Sequence, residues 1–281
     1  MKERIKAFDP IDMKEFESEA KVGLIATVNP EGNPHLTLIT ALQAKTPTQM
    51  IWGQFTEGNS KKHVKANPKV GFLIMNMKMD LWRGKATWTH EEKEGEDYEM
   101  FNKKPMFRYN AYFGIHTVHY MDLTETYAKD KLPLAKIIAG SILTMTAKGG
   151  ARSGQSPILR HWAEKLFNRL DATKFLTYIG DDGYPVIIPV LQCQAADACR
   201  LVFSPLAYKD ELKTIPAGTK IAILGMSLDM EDVLVRGIFN GFNRYRGLSL
   251  GSLDIEWVYN SMPPTPGQIY PEIELKPITE F

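Results

Sequence analysis

LIATVNPEGNPHL occupies residues 24–36 and FLTYIGDDGYPVI residues 175–187. Both run apolar strand, acidic turn with glycine, one residue, proline, apolar strand. Apolar, β-branched runs broken by a short Asn/Asp/Gly segment read as β-hairpins. Gly183 stands 151 residues after Gly32, and the same offset carries Pro34 onto Pro185 and Ala44 onto Ala195. One chain therefore writes the same hairpin twice.

The correspondence extends outward from the hairpins. After the first come MIWGQF (50–55), a basic segment, VGFLIMN (70–76) and LWRGKATW (81–88). After the second come CRLVFS (199–204), a charged segment, KIAILGM (220–226) and VLVRGIFNG (233–241). Arg83-Gly84 meets Arg236-Gly237 at an offset of 153, a drift that one small loop change absorbs. Helical spacing precedes each hairpin, with Met13, Phe16 and Ala20 before the first and Ile158, Trp162, Leu166 and Leu170 before the second. Alternating segments close each half, HTVHYMDLTETY (116–127) and LDIEWVYN (253–260). A long-period repeat of this kind is a duplicated unit. Short strands, tight turns and few helices predict a mainly β fold with some α, each half a small antiparallel barrel whose closure removes exposed edges.

KGGARSGQSP (148–157) concentrates Gly, Ser and Pro and reads as a loop. The expected division is a first barrel over 1–147, a linker over 148–155, and a second barrel over 156–281 with a proline-rich tail. Residues 96–115 have no counterpart in the other half and read as helix followed by irregular chain.

The length suits one large domain or two small ones. Lys and Arg number 34 and Asp and Glu 33, so no net field draws nucleic acid or an anionic membrane. RYNAYFGIHTVHY (108–120) interleaves aromatics with bases, but without a wider basic stripe it reads as packing rather than a nucleic-acid platform. Cys193 and Cys199 flank QAADA, which is neither a CxxC pair nor a zinc ligand set, and a reducing, cytoplasmic compartment is expected. The N-terminus is charged and lacks the apolar core of a signal peptide. LAKIIAGSILTM (134–145) is too short to span a bilayer and reads as a buried helix.

The chemistry concentrates in TEGNSKKHVKANPKV (56–70). A strand ends at Phe55 and Thr56, Gly58-Asn59 turn, and Ser60 is placed as N-cap of a helix that Pro68 terminates. A helix start offers free N–H groups and partial positive charge. With the Ser60 hydroxyl, Lys61 and Lys62 it makes a phosphate cradle. The plainer reading is a short exposed helix that carries Ser and Lys for solubility.

The order of hairpin with Pro-His, strand, turn, Ser60-Lys61-Lys62, helix, ANPKV (66–70) and Arg-Gly strand resembles the pyridoxamine 5′-phosphate oxidase-like, flavin mononucleotide (FMN)-binding split-barrel superfamily. The resemblance is specific over residues 15–90 and weaker in the second half. It implies two tandem six-stranded split antiparallel β-barrels with short flanking helices. It also implies that Ser60, Lys61 and Lys62 grip the FMN phosphate. Thr37, Leu38, Ile39 and Thr40 would run along the ring and ribityl chain, with Phe55 and Thr56 also at cofactor-contacting positions. Strand alternation separates Thr37 and Ile39 from Thr40, so the backbone should carry part of that contact. Family members pair two barrels around the flavin, an interface that a tandem chain can make internally, and a homodimer built on that pseudo-dimer stays open. The oxidase's arginine and lysine are replaced here by Thr37 and Leu42, so the implied function is an FMN-dependent oxidoreductase with an unassigned small-molecule substrate or electron donor. A flavin carrier or sensor, or the same fold holding haem or a deazaflavin, remains an alternative.

The second copy reads SPLAYKDELKTIPAG (204–218) where the cradle should be, with Tyr208 for Ser60 and Asp210 among the charges. One FMN per chain is expected, the second copy serving to pack and wall. His116 and His119 fall on opposite faces of a strand and cannot easily share one metal. His35 sits beside the expected cofactor strand and could touch substrate or flavin, but a lone histidine after a turn proline is more often simply exposed. Arg83 and Arg236 are either anion ligands or structural, for example paired with a carboxylate across the barrel. Met75, Met77 and Met79 are expected on one strand face.

Overall fold

A computed structural model describes residues 4–54, 57–104, 114–227, 229, 231–260 and 267–271. The first half runs β1 (Arg4–Ile5), α1 (Pro10–Phe16), β2 (Lys21–Val28), β3 (Pro34–Leu38), β4 (Leu42–Thr46), β5 (Gln49–Gln54), α2 (Asn59–Ala66), β6 (Lys69–Asn76), β7 (Asp80–Glu92), α3 (Glu96–Lys103), β8 (Thr117–Tyr127) and β9 (Asp130–Lys131). The second runs α4 (Leu134–Ala147), α5 (His161–Asn168), β10 (Thr173–Ile179), β11 (Pro185–Pro189), β12 (Gln194–Asp197), β13 (Arg200–Phe203), α6 (Lys209–Leu212), β14 (Lys220–Met226), β15 (Asp232–Tyr245), β16 (Leu248–Asn260) and β17 (Gly267–Tyr270).

Two antiparallel sheets repeat one topology. The first has the order β3-β2-β6-β7-β8-β5-β4 and the second β11-β10-β14-β15-β16-β13-β12. Each path carries seven strands, because the chain after each hairpin forms a short strand of its own before the next. By contacts the chain divides into one unit of Met1–Pro133 with Thr177–Ile187 and another of Leu134–Leu176 with Ile188–Phe281.

The hairpins match bond for bond. In the first, Asn29 N donates to Asn33 O (2.9 Å) and Gly32 N to Asn29 O (2.9 Å); in the second, Gly180 N donates to Tyr184 O (2.9 Å) and Gly183 N to Gly180 O (2.8 Å). Gly32 and Gly183 hold φ of 76° and 78°, the left-handed region that glycine enters without steric cost. Beyond the hairpin, Ile39 N donates to Gly23 O (2.7 Å), and 151 residues on Val190 N donates to Lys174 O (2.8 Å). Even the irregularity recurs, with a register shift between Ala44 and Thr46 and another between Ala195 and Asp197.

The shared Arg-Gly pair owes its glycine to a close strand approach. A Cβ on Gly84 would lie 2.2 Å from the Glu125 carbonyl oxygen, and one on Gly237 1.7 Å from that of Asp254. The arginines part ways. Arg83 is buried and Nη1 donates to the Ile187 carbonyl (2.9 Å), whereas Arg236 lies over the Trp257 ring at 4.5 Å.

The first barrel's core gathers Phe16, Phe72, Trp52, Trp82, Ile25, Ile74 and Met121. Phe16 meets Trp82 edge-on at 5.0 Å, a favoured aromatic arrangement. α1 supplies Phe16; Asp9 caps it by accepting from Ile11 N (2.7 Å), and Pro10 opens it.

Two expectations fail on where elements stop or face. β6 ends at Asn76, so Met75 is buried while Met77 and Met79 are exposed, and the alternation has no strand to run on. LAKIIAGSILTM does form a helix, α4, but Leu134, Ile138, Ile142 and Met145 are exposed, so only one face is buried.

Candidate functional site

α2 forms because Gly58-Asn59 releases the chain from β5, and it stops at Ala66 before Asn67-Pro68. The N-cap is Gly58, with no side-chain cap bond, rather than Ser60. Ser60 sits inside the first turn, and its hydroxyl bonds Thr37 Oγ1 on β3 (2.5 Å). The structure thus joins Ser60 to Thr37, two of the residues expected at the site, because β3 runs beside the start of α2.

Lys61 and Lys62 separate. Lys62 is exposed, while Lys61 is 7 % exposed. Burial, the dominant cause, lowers the Lys61 pKa from 10.5 to about 8, and Glu57 partly offsets it. Among the described residues no acceptor or carboxylate bonds Lys61 Nζ; Glu57 acts on it only through its field. Gly58 leaves room for the ammonium, since a Cβ there would come within 3.3 Å of Nζ. A buried ammonium without a partner is costly, and a phosphate beside the unfilled N–H groups of the α2 start would neutralise it. The donor set fits a phosphate.

The remaining expected positions follow the hairpin. Thr37 and Ile39 are buried, Leu38 and Thr40 half-buried. The strand ends at Leu38; Ile39 and Thr40 belong to a turn in which Leu42 N donates to Ile39 O (3.2 Å). Gly23 permits this turn, because a Cβ there would lie 2.4 Å from the Ile39 carbonyl oxygen. Phe55 and Thr56 lie outside the described residues.

Sequence reasoning missed a second layer around the cradle. His35 is buried rather than exposed and meets His63 edge-on at 5.0 Å. His63 Nδ1 bonds Thr27 Oγ1 (3.1 Å), tying α2 to β2. His119 is fully buried and stacked on Trp52 at 3.8 Å. Trp88 Nε1 donates to His119 Nδ1 (3.2 Å), so Nε2 carries the proton and donates to Gln54 Oε1 (2.7 Å); Gln54 Nε2 in turn donates to Glu57 Oε1 (3.2 Å). The chain of bonds runs one way, from the barrel to the residue before the cap. Burial, reinforced by Lys61, Lys65 and His116, lowers the His119 pKa to about 3 and keeps it neutral. No periodicity marks these residues; only the strand register brings Gln54 and His119 together. Among the described residues no three His, Cys, Asp or Glu side chains gather as a metal site.

In the second half the equivalent place is α6, one turn long, begun by Tyr208 without a side-chain cap and carrying Asp210 and Glu211 in that turn.

Residues 10–129 match the family model described as pyridoxamine 5′-phosphate oxidase. No curated protein matches the chain. Among solved structures, HupZ of Group A Streptococcus is 18% identical over 42% of this chain and 92% of its own, with a TM-score of 0.36. A putative pyridoxamine 5′-phosphate oxidase from Lactobacillus delbrueckii is 17% identical over 46% of this chain and 100% of its own, with a TM-score of 0.37. An FMN-binding protein from Syntrophomonas wolfei is 12% identical over 41% of this chain and 80% of its own, with a TM-score of 0.35.

Proposed function

We propose, from the match of residues 10–129 to the pyridoxamine 5′-phosphate oxidase family model, that the chain is a split-barrel protein of that superfamily and binds FMN as a flavin-dependent oxidoreductase. Lys61 carries the reading. It is a buried ammonium with no acceptor among the described residues, at the start of an eight-residue helix, next to the Thr37–Ser60 hydroxyl pair.

Bound FMN would supply transfer of a hydride or of single electrons. Lys61 and the first N–H groups of α2 would hold its phosphate, with the Ser60 hydroxyl as a further donor. The backbone of Thr37–Thr40, fixed by the Gly23 contact, would set the height of the ring. The Trp88–His119–Gln54–Glu57 chain ties Glu57, the residue before the Gly58 cap, to the barrel and would help to set the direction of the cradle. No side chain here is assigned as acid or base, since hydride transfer to a flavin does not require one. A deazaflavin also carries a phosphate and is the second reading; the absorption spectrum of the protein as isolated separates it from FMN.

Titration of the full chain with FMN, read by quenching of flavin fluorescence, tests the proposal. Lys61→Ala removes one charge-assisted bond and should weaken binding by about 10- to 100-fold. Lys62→Ala, on the exposed side, should change it by no more than about threefold. Equal effects of the two, or none, would place the phosphate elsewhere.

A further inference from the structure

Asp97 and Met100 of α3, with Lys104 at its C-cap, line a cleft of about 450 Å³ together with Gln43 and Lys45 of β4. Glu17 and Glu19, in the chain that leaves α1, form another part of its wall. Lys45 and Asp97 make an ion pair (2.6 Å). Lys104 has no such partner: its Nζ donates to the neutral Gln43 Oε1 (2.6 Å), and Gln43, 4% exposed, is steadied by its Nε2 bond to Met100 Sδ (3.5 Å). Beside it Lys21, 7% exposed, donates from Nζ to the Ser18 carbonyl (2.6 Å). Among the described residues no carboxylate bonds either ammonium, and no cation bonds Glu17 or Glu19; these carboxylates act on both lysines only through their field. Burial, with the Lys104 charge second, lowers the Lys21 pKa to about 8, and burial also lowers that of Lys104. Two ammoniums and two carboxylates thus stand about one cleft without bonding, although Lys45 and Asp97 show that charges here pair where they reach.

We propose that this cleft binds a small zwitterion, a free amino acid or a short peptide, its carboxylate held by Lys104 and its ammonium by Glu17 and Glu19. The charges select that ligand. An anion alone would meet the field of Glu17 and Glu19, and an organic cation alone that of Lys104 and Lys21. A molecule with both signs completes both sets as charge-assisted hydrogen bonds. A metal ion lacks a ligand set, since among the described residues no three His, Cys, Asp or Glu side chains gather as one. Ile51, buried, and Met100, half-buried, offer an apolar wall to the ligand's side chain. The volume falls within the range of small-molecule sites, about 300–1,000 Å³. Gln43 and the Ser18 carbonyl hold the two ammoniums in place before any ligand arrives, which spares the cost of ordering two long side chains. No residue of the cleft belongs to the α2 cradle, so the proposal does not rest on the flavin reading.

Thermal melting of the full chain with each common amino acid, with γ-aminobutyrate and with the dipeptide leucyl-leucine, each at roughly 10 mM, tests the proposal, followed by calorimetric titration of whatever raises the midpoint. At least one zwitterion should bind, one per chain. The matching amine and the matching carboxylic acid, each carrying one sign of charge, should bind at least about tenfold more weakly. Lys104→Met keeps the stem and removes the charge, and Glu19→Gln removes the opposite one; each should weaken binding by about tenfold or more. Lys103→Met, on the exposed side of α3 and paired with Glu99 (2.6 Å), should change it by no more than about twofold. The melting midpoint of each variant without ligand shows that it is folded. No binding by any of these zwitterions would overturn the proposal, as would equal binding of the singly charged analogues. Binding indifferent to both Lys104→Met and Glu19→Gln would overturn it too, because the ligand would then sit elsewhere.

Discussion

At Lys61, burial without an acceptor pulls the ammonium toward neutrality near pH 8. Two pH effects follow. The pKa is lowered on folding, so between about 8 and 10.5 the unfolded chain binds more protons, and the protein without FMN gains stability as pH rises through that window. A bound phosphate favours the ammonium, so FMN affinity should fall as pH climbs above about 8, and Lys61→Ala should abolish that fall; affinity measured across this range checks both. His119 acts with the same sign in the acid range. Its pKa is lowered to about 3, so the unfolded state takes up the proton first and stability should decline as pH drops from 6.5 toward 3. His119→Phe keeps a ring against Trp52 but strands the Gln54 and Trp88 polar groups, at about 1–3 kcal/mol each. It should be less stable at neutral pH yet flatter in acid, by urea unfolding at several pH values. The Ser-Lys-Lys run was legible in the sequence; which lysine turns inward was not, because that depends on where β2 and β3 pass the helix.

Between elements, two close approaches set the geometry. Gly84 and Gly237 lie beside the register shifts in the β7–β8 and β15–β16 pairings, with their hypothetical Cβ atoms inside van der Waals contact of a backbone oxygen. Alanine at either position must push a strand aside. Each substitution should lower stability by about 1–3 kcal/mol, by denaturant midpoint, with Gly237→Ala the worse. The hairpins and the Arg-Gly strands were readable because turn chemistry and period-two alternation are local properties. The cap of α2 was not. Ser60 has the ideal chemistry for a cap, yet Thr37 offers its hydroxyl a tertiary partner, and the helix begins one residue earlier at Asn59. His35 was misjudged for the same kind of reason, since a histidine after a turn proline is exposed only if no helix covers it, and α2 does.

For the whole molecule, duplication of topology does not duplicate the cradle. The second half reproduces strand order, hairpin bonds and bulge, but a single turn carrying Asp210 and Glu211 stands where α2 would be. Isothermal titration should give one FMN per chain, and a value of two would mean that the second half binds by other groups. Among the described residues no helix is long and apolar enough to cross a membrane. By itself the sequence determined the repeat, the antiparallel β architecture and the short basic helix, because hydrophobic period, turn residues and the 151-residue offset act over neighbouring positions. Tertiary structure alone decided that Lys61 is buried and Lys62 is not, that His119 lies in the core beside Gln54, and that α4 leaves half its apolar surface bare. Each of these depends on which distant strand or helix comes to lie alongside, and burial and pairing are properties of neighbours in space.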